Sequence, residues 1–229
     1  MTIEKSEVLT ALTKGTIGMI PVLGPIVAEI IGVLIPNQRI ERIEKLLKLL
    51  AAKLENHNNE TLEKLITTPE SIDLIEDGFI QASRAISEER KEYIASLLKN
   101  GLTDMTLKHL EYKRLLSILG EINDIEVIIL KSHLLHPSLP EGADYWEKHK
   151  KTLIPPIAYL GSPQEELDKE TIYKSHNIHL KNLGLIKPLF RKPKRGELPE
   201  FDDKTGMIKA SGYDITNLGQ LLLRSIDQD

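Results

Sequence analysis

The sequence predicts a mainly α-helical chain: a helical bundle with an apolar helical hairpin near its start and a small α+β module at its end. Three observations predict it. Apolar residues recur at helical spacing from Gln38 to Leu135. Helix-starting residues punctuate that stretch at Thr68-Pro69-Glu70, Ser87-Glu88-Glu89 and Asn123 to Glu126. Only Leu185-Ile186 and residues 207–216 read as strands, on either side of a turn-rich loop.

Composition sets the outer bounds. The 229 residues are 41% hydrophobic, 28% charged and 4% aromatic, enough for one large or two small cores and too apolar for a disordered chain. A net charge of -4 excludes a global positive field that would draw the whole molecule onto nucleic acid or anionic lipid, so any such contact must be local. With no cysteine there is no disulfide scaffold, thiolate zinc site, iron-sulfur cluster or cysteine nucleophile, which fits a reducing compartment. The expected organisation is a helical domain over 1–136 with its apolar hairpin at 15–56, a proline-rich connector over 137–161 and a C-terminal module over 162–229.

Residues 15–36 carry a single charge, Glu29. Pro21 and Pro25 divide the stretch and leave about a dozen residues for an uninterrupted helix, against the ~20 a bilayer needs. The apolar run continues into a charged helix without a cleavage signature, which argues against a signal peptide. Gly24, Ala28 and Gly32 recur every four residues, a stripe along which a second helix backbone can approach closely. A buried helix is the favoured reading, and an element that enters a bilayer on a trigger and a constitutive span are the alternatives. Gly24, Ala28, Glu29 and Gly32 are the candidate partner or membrane helix.

From Gln38 the pattern becomes amphipathic. Ile40, Ile43, Leu46, Leu47, Leu50 and Leu54 form one stripe, with Glu41-Lys45 and Glu44-Lys48 pairs outside it. Further helices are expected from Asn59, Thr68, Ser87, near Leu107 (marked by Leu107, Leu110, Ile118 and Leu119) and Asn123, with Asn100-Gly101 as a stop. The connector shows no periodicity and is expected to wrap the surface, anchored by Trp146 and Tyr159. Ser162-Pro163-Gln164-Glu165 has the form of a capping box with proline at the first helical position and should start a new helix. Residues 171–183 should form a helix with Ile172, Leu180 and Leu183 inward, stopped by Gly184. A last helix should follow with Leu218, Leu221, Leu222 and Ile226 on one face.

In this last part Leu180 to Ile186 reads LKNLGLI and Ile215 to Gly219 reads ITNLG. With these phrases the chain resembles winged-helix domains over about a quarter of its length. There an LxxLGLI phrase ends the second helix of the helix-turn-helix, and an ITxLG phrase opens the helix after the wing. The resemblance implies a C-terminal winged-helix-like module and says little about its ligand. Seven cations (Lys174, Lys181, Lys187, Arg191, Lys192, Lys194, Arg195) fall between 171 and 195 with no acid among them. They are the candidate basic surface, where a winged helix would meet phosphate. The loop then turns acidic through Glu197, Glu200, Asp202 and Asp203, and the alternative is a solvated edge that docks on protein.

Catalytic spacings are thin. The sequence has no GxxxxGK[ST] loop, no GxGxxG, no GxSxG and no HExxH. His133 and His136, and His176 and His179, are each three apart, but without cysteine or a carboxylate pattern they are read as helix-end histidines and not as metal ligands. Asp73 with Asp77 and Glu88 with Glu92 read as solvated helix faces. No enzyme activity, cofactor, metal or catalytic residue is expected.

The order of parts, together with residues 88–102 (EERKEYIASLLKNGL), resembles bacterial abortive-infection proteins of the alpha type. That resemblance implies a cytoplasmic phage-defence effector acting without catalysis, with a role for the inner membrane left open. The expected function is therefore a non-enzymatic effector or interaction protein that binds a protein partner or itself and that could act on a membrane through its apolar hairpin. The alternative is a DNA-binding regulator that uses residues 171–195.

Overall fold

The computed structural model describes residues 39–104, 107–135, 137–159, 161–196, 198–201 and 206–229. The expectations placed on residues 15–36, including Gly24, Ala28, Glu29 and Gly32, lie outside them. The fold is mainly helical, with one two-stranded antiparallel sheet near the C-terminus. Two compact units divide the chain, the first ending at Glu121 and taking in 225–227, the second spanning 122–224 with 228–229.

The first unit holds α1 (Ile40–Leu54), α2 (Asn59–Ile66), α3 (Pro69–Arg84), α4 (Glu88–Thr103) and α5 (His109–Glu121). The α1 stripe is buried as the spacing predicts, from Ile40 through Leu54, and packs on α3 and α4. Each such Leu or Ile contributes about 1.5–3 kcal/mol through loss of water-exposed apolar surface. Thr68 and Ser87 cap α3 and α4, their hydroxyls accepting from Ser71 N–H and Arg90 N–H. Glu44 pairs with Lys48 at 2.6 Å, whereas Lys45 turns away from Glu41 and meets Glu88 on α4 at 3.1 Å.

One expectation fails here. The helix through Asn100-Gly101 does not stop but runs on to Thr103. Gly101 serves packing instead, because a Cβ there would strike Leu74 and crowd the Tyr112 ring. Leu110 is 76% exposed and takes no part in the core, which α5 builds from Tyr112, Leu115, Leu116, Ile118 and Leu119.

The second unit holds α6 (Asp124–Leu134), α7 (Pro140–Lys148), α8 (Lys150–Leu153), α9 (Gln164–Asn182), β1 (Ile186–Phe190), β2 (Ala210–Ile215) and α10 (Asn217–Ser225), the last residue of which belongs to the first unit. The sequence boundary at 136/137 leaves α6 with the helical part. In the structure α6 packs on α7, α8, α9 and β2, which places it in the second unit.

The connector is not irregular throughout. Pro140 stands in the first turn of α7, where its missing N–H is not needed, and α8 follows almost directly. Trp146 is half-buried, but Tyr159 is 71% exposed and anchors nothing. The Ser162 capping box does not form. Ser162 Oγ accepts from Tyr159 N–H at 3.0 Å, and α9 begins at Gln164 without a side-chain cap; the two helices expected from Ser162 and over 171–183 are one continuous helix. Ile172, expected inward, is 60% exposed, while Leu180 is buried. Among the described residues no helix is long and apolar enough to cross a membrane.

Candidate interaction surface

Two short phrases build the frame of the second unit. At the end of α9, Gly184 takes φ +74°, a conformation costly for any residue with a Cβ. The turn lets Leu185 N–H reach Leu180 O at 3.0 Å and Gly184 N–H reach Lys181 O at 2.9 Å, which closes the helix and drops Leu185 into the core. Ile186 then opens β1, paired with Ile215 of β2, and the ladder runs through Lys187–Asp214, Pro188–Tyr213 and Leu189–Gly212. Thr216 ties both phrases together. Its Oγ1 donates to Gly184 O at 2.7 Å and accepts from Gly219 N–H at 3.1 Å, so it caps α10 while fixing the turn.

The seven expected cations do not form one uniform face. Lys174 is paired with Glu170 at 2.9 Å along α9, and Lys187 with Asp214 across the ladder at 3.3 Å. Lys181 is exposed near the end of α9. Arg191, Lys192 and Lys194 do come together, along one wall of a concavity of about 630 Å³ that Leu198, Ile208 and Lys209 also line. Arg195 is exposed at the turn beyond it. Lys209, which sequence reasoning missed, is bound to Glu200 at 2.6 Å and also donates its N–H to Glu200 O at 2.8 Å. The Lys209 ammonium holds the Glu200 carboxyl below the usual range, with a smaller contribution from Arg191.

Between β1 and β2 the chain forms an arm. Of its described residues from 189 to 211, all are exposed except Pro199. The arm is ordered by backbone pairing, through the Phe201–Ile208 bridge and the Ser211 Oγ bond to Leu189 O at 3.1 Å, and not by a core of its own. Leu189, Phe190, Leu198, Phe201, Met207 and Ile208 are all exposed along it. Elsewhere in the same unit Ile125, Ile154, Pro156 and Ile172 line a groove of about 550 Å³, edged by Lys151, Asp168 and His176.

Beside that groove lies a cluster that sequence spacing assigned differently. His176 Nδ1 and His179 Nδ1 approach the same oxygen of Glu126, at 3.2 and 2.9 Å. Glu126 is 3% exposed, and its second oxygen accepts from Asn123 N–H at 2.8 Å in a full capping box. The three-residue spacing therefore serves to bring both imidazoles to one carboxylate on α6. A carboxylate only accepts, so both Nδ1 atoms donate to it. Among the described residues no group of three or more His, Asp or Glu is placed to hold a metal ion. Asp73 and Asp77 share Lys113, at 2.6 and 2.9 Å, while Glu88 binds Lys91 and Glu92 binds Lys53. These acids work as ion-pair partners in the first unit.

No protein-family model matches this chain, and comparison with curated proteins and with solved structures finds no match.

Proposed function

We propose that this protein is a non-enzymatic interaction protein of the abortive-infection type, whose C-terminal unit is the docking surface. One observation carries the reading. Sixteen large apolar side chains are exposed among the described residues, and fourteen of them lie in the second unit, the exceptions being Ile86 and Leu110. Three of the fourteen, Ile125, Ile154 and Ile172, are gathered in one groove, and apolar side chains exposed together in this way mark a contact surface in a folded protein. The order of α9, β1, arm, β2 and α10 is what a winged-helix-like module would have, and such modules serve protein as well as nucleic-acid contacts. The apolar segment at 15–36, the first part of the expected hairpin at 15–56, is proposed as the element that the docked state presents or withholds.

The test is a phage challenge of bacteria expressing the full chain. Deleting 15–36, and separately introducing Ile154→Asp with Ile172→Asp in the groove, should each abolish protection while protein levels hold. Protection that survives the groove substitutions overturns the docking role, and turnover of a small molecule by purified protein overturns the non-enzymatic reading.

A second reading, a DNA-binding regulator, is favoured by one observation: Lys181, Lys192 and Arg195 form no ion pair among the described residues. Against it, the first two turns of α9 carry Glu165, Glu166, Asp168 and Glu170, which would face phosphate with the wrong sign. Protection lost only on neutralising Arg191, Lys192, Lys194 and Arg195, with a gel shift that weakens steeply in salt, would favour the regulator.

A further inference from the structure

We infer that the groove between α8 and α9 is a two-fold contact between copies of this chain, with α9 of each copy lying in the groove of the other. The inference rests on the proposed function in taking the groove as a docking surface, and it names the occupant. Two walls form the groove. Lys151 of α8 and, just beyond it, Ile154 and Pro156 make one, while Asp168, Ile172 and His176 stand four residues apart along one face of α9 and make the other. The walls are fixed before any partner arrives. Tyr173 Oη donates to Leu153 O at 3.0 Å, which ties α9 to the end of α8, and His176 Nδ1 donates to the buried Glu126 carboxylate of α6. A groove held in this way loses little freedom when it is filled.

The chain leaves α9 largely bare. Of its nineteen residues only Leu180 is buried, whereas a helix ordinarily owes most of its stability to a packed face. Ile172 is 60% exposed and Ile154, on the other wall, 52%. Charge then selects the occupant. Glu165 and Lys169 pair with each other on α9, which leaves Lys151 on one wall and Asp168 on the other without an ion pair among the described residues. A nucleic acid or an anionic surface would be repelled by Asp168, and a cationic ligand by Lys151. A second copy meets neither objection. A two-fold axis beside Ile172 carries α9 of one copy into the groove of the other, so that Lys151 of each faces Asp168 of its mate, and an isologous contact makes that pair twice. The isoleucines lie at the centre and the charges at the rim, as in other protein interfaces.

Sedimentation velocity of the full-length protein across the micromolar range should show a dimer. Lys151→Glu and Asp168→Lys should each weaken it about tenfold, because each change strikes both symmetric contacts. Mixed in equal amounts, the two variants should pair again: the new carboxylate at position 151 meets the new ammonium at position 168, and the second contact keeps its native charges. Ile172→Asp, beside the axis, should leave only monomer. All three side chains are exposed, so unchanged melting curves will certify the fold. A full-length protein that stays monomeric overturns the inference. So does a dimer that these substitutions leave intact, which would put the contact elsewhere in the chain, and so do single variants that fail to pair when mixed. Protection lost with Ile154→Asp and Ile172→Asp in a protein that sediments as a monomer overturns this inference and supports the docking role alone. A dimer that dissolves on those two substitutions while protection survives does the reverse.

Discussion

Glu126 and His179, fifty-three positions apart in the chain, meet at 2.9 Å across the packing of α6 on α9. The same oxygen takes His176, and the opposite oxygen closes the cap of α6. A carboxylate that is 3% exposed and bonded on both oxygens is a structural staple, and removing it leaves two imidazoles and a helix-start N–H without their acceptor. Glu126→Ala should destabilise the second unit by about 2–3 kcal/mol. His179→Ala, at a partly exposed ring, should cost about 1 kcal/mol. Urea unfolding of both variants and their double mutant measures the coupling, and additive losses would deny that the pair acts together.

His133 predicts a dependence on pH. Burial pushes its pKa below the ordinary histidine value, and a hydrogen bond with Asn177 and the charge of Asp214 offset this only in part. Its Nε2 is buried with no partner, and its ring meets Tyr213 edge-on. The unfolded chain therefore binds a proton more readily than the folded one. Stability is fully present above about pH 6.5 and is lost as the pH falls toward the lower folded value. His149, lowered by burial and by Lys148 and Lys131, acts in the same direction. Urea midpoints between pH 8 and 5 should fall with acid, and His133→Phe should flatten the slope; an unchanged slope refutes the assignment.

What could be read from the sequence was local. The caps at Thr68, Ser87 and Asn123 all form, because each needs only a side chain and an N–H three residues on. The stripe of α1 and the Gly184 stop have the same character. Periodicity, however, records that a residue is apolar and not what covers it, so Ile172, whose spacing predicts an inward side chain, stands in solvent, as does Leu110. Charge counting failed in a related way. Lys174 and Lys187 were counted as available cations, but their acids, Glu170 and Asp214, lie within one helical turn and across the ladder. The Glu126 cluster was invisible because its members are fifty residues apart, and the histidine spacing that marks it also fits a helix end. Helix α7 was missed because nine residues beginning at Pro140 and containing Gly142 give no clear repeat.

Gly219 is required by close packing and not by turn geometry. A Cβ built there would overlap the Leu185 carbonyl oxygen and lie 2.8 Å from Ile215 Cγ1, and a backbone carbonyl cannot swing aside as a side chain can. Gly219→Ala should therefore destabilise the second unit by about 1–3 kcal/mol through overpacking. Gly212, opposite Leu189 in the ladder, has nothing within 4 Å of the equivalent position. Gly212→Ala should be neutral or stabilising by up to about 1 kcal/mol, since strand glycine costs chain entropy. Thermal midpoints of the two variants should move in different directions, and equal shifts would contradict the packing argument.

Asp227 combines a left-handed backbone with an ion pair. Its φ is +54°, and its carboxylate meets Lys53 at 3.1 Å, while Lys53 also binds Glu92 at 3.0 Å. Burial works against the Lys53 charge, yet bonds from Glu92 and Asp227 hold its pKa above the ordinary lysine value. Asn tolerates the left-handed region as Asp does, so Asp227→Asn keeps the backbone while it removes the charge and exchanges one of the two oxygens facing Lys53 and Asn100 for a donor. It should cost about 0.5–1 kcal/mol at low salt and less at high salt, because the pair is partly exposed. Asp227→Ala adds the backbone penalty of about 1 kcal/mol, and salt cannot screen that part. Unfolding of both variants at two salt concentrations separates the contributions. If the gap between Asn and Ala closes in salt, the left-handed backbone at 227 contributes nothing.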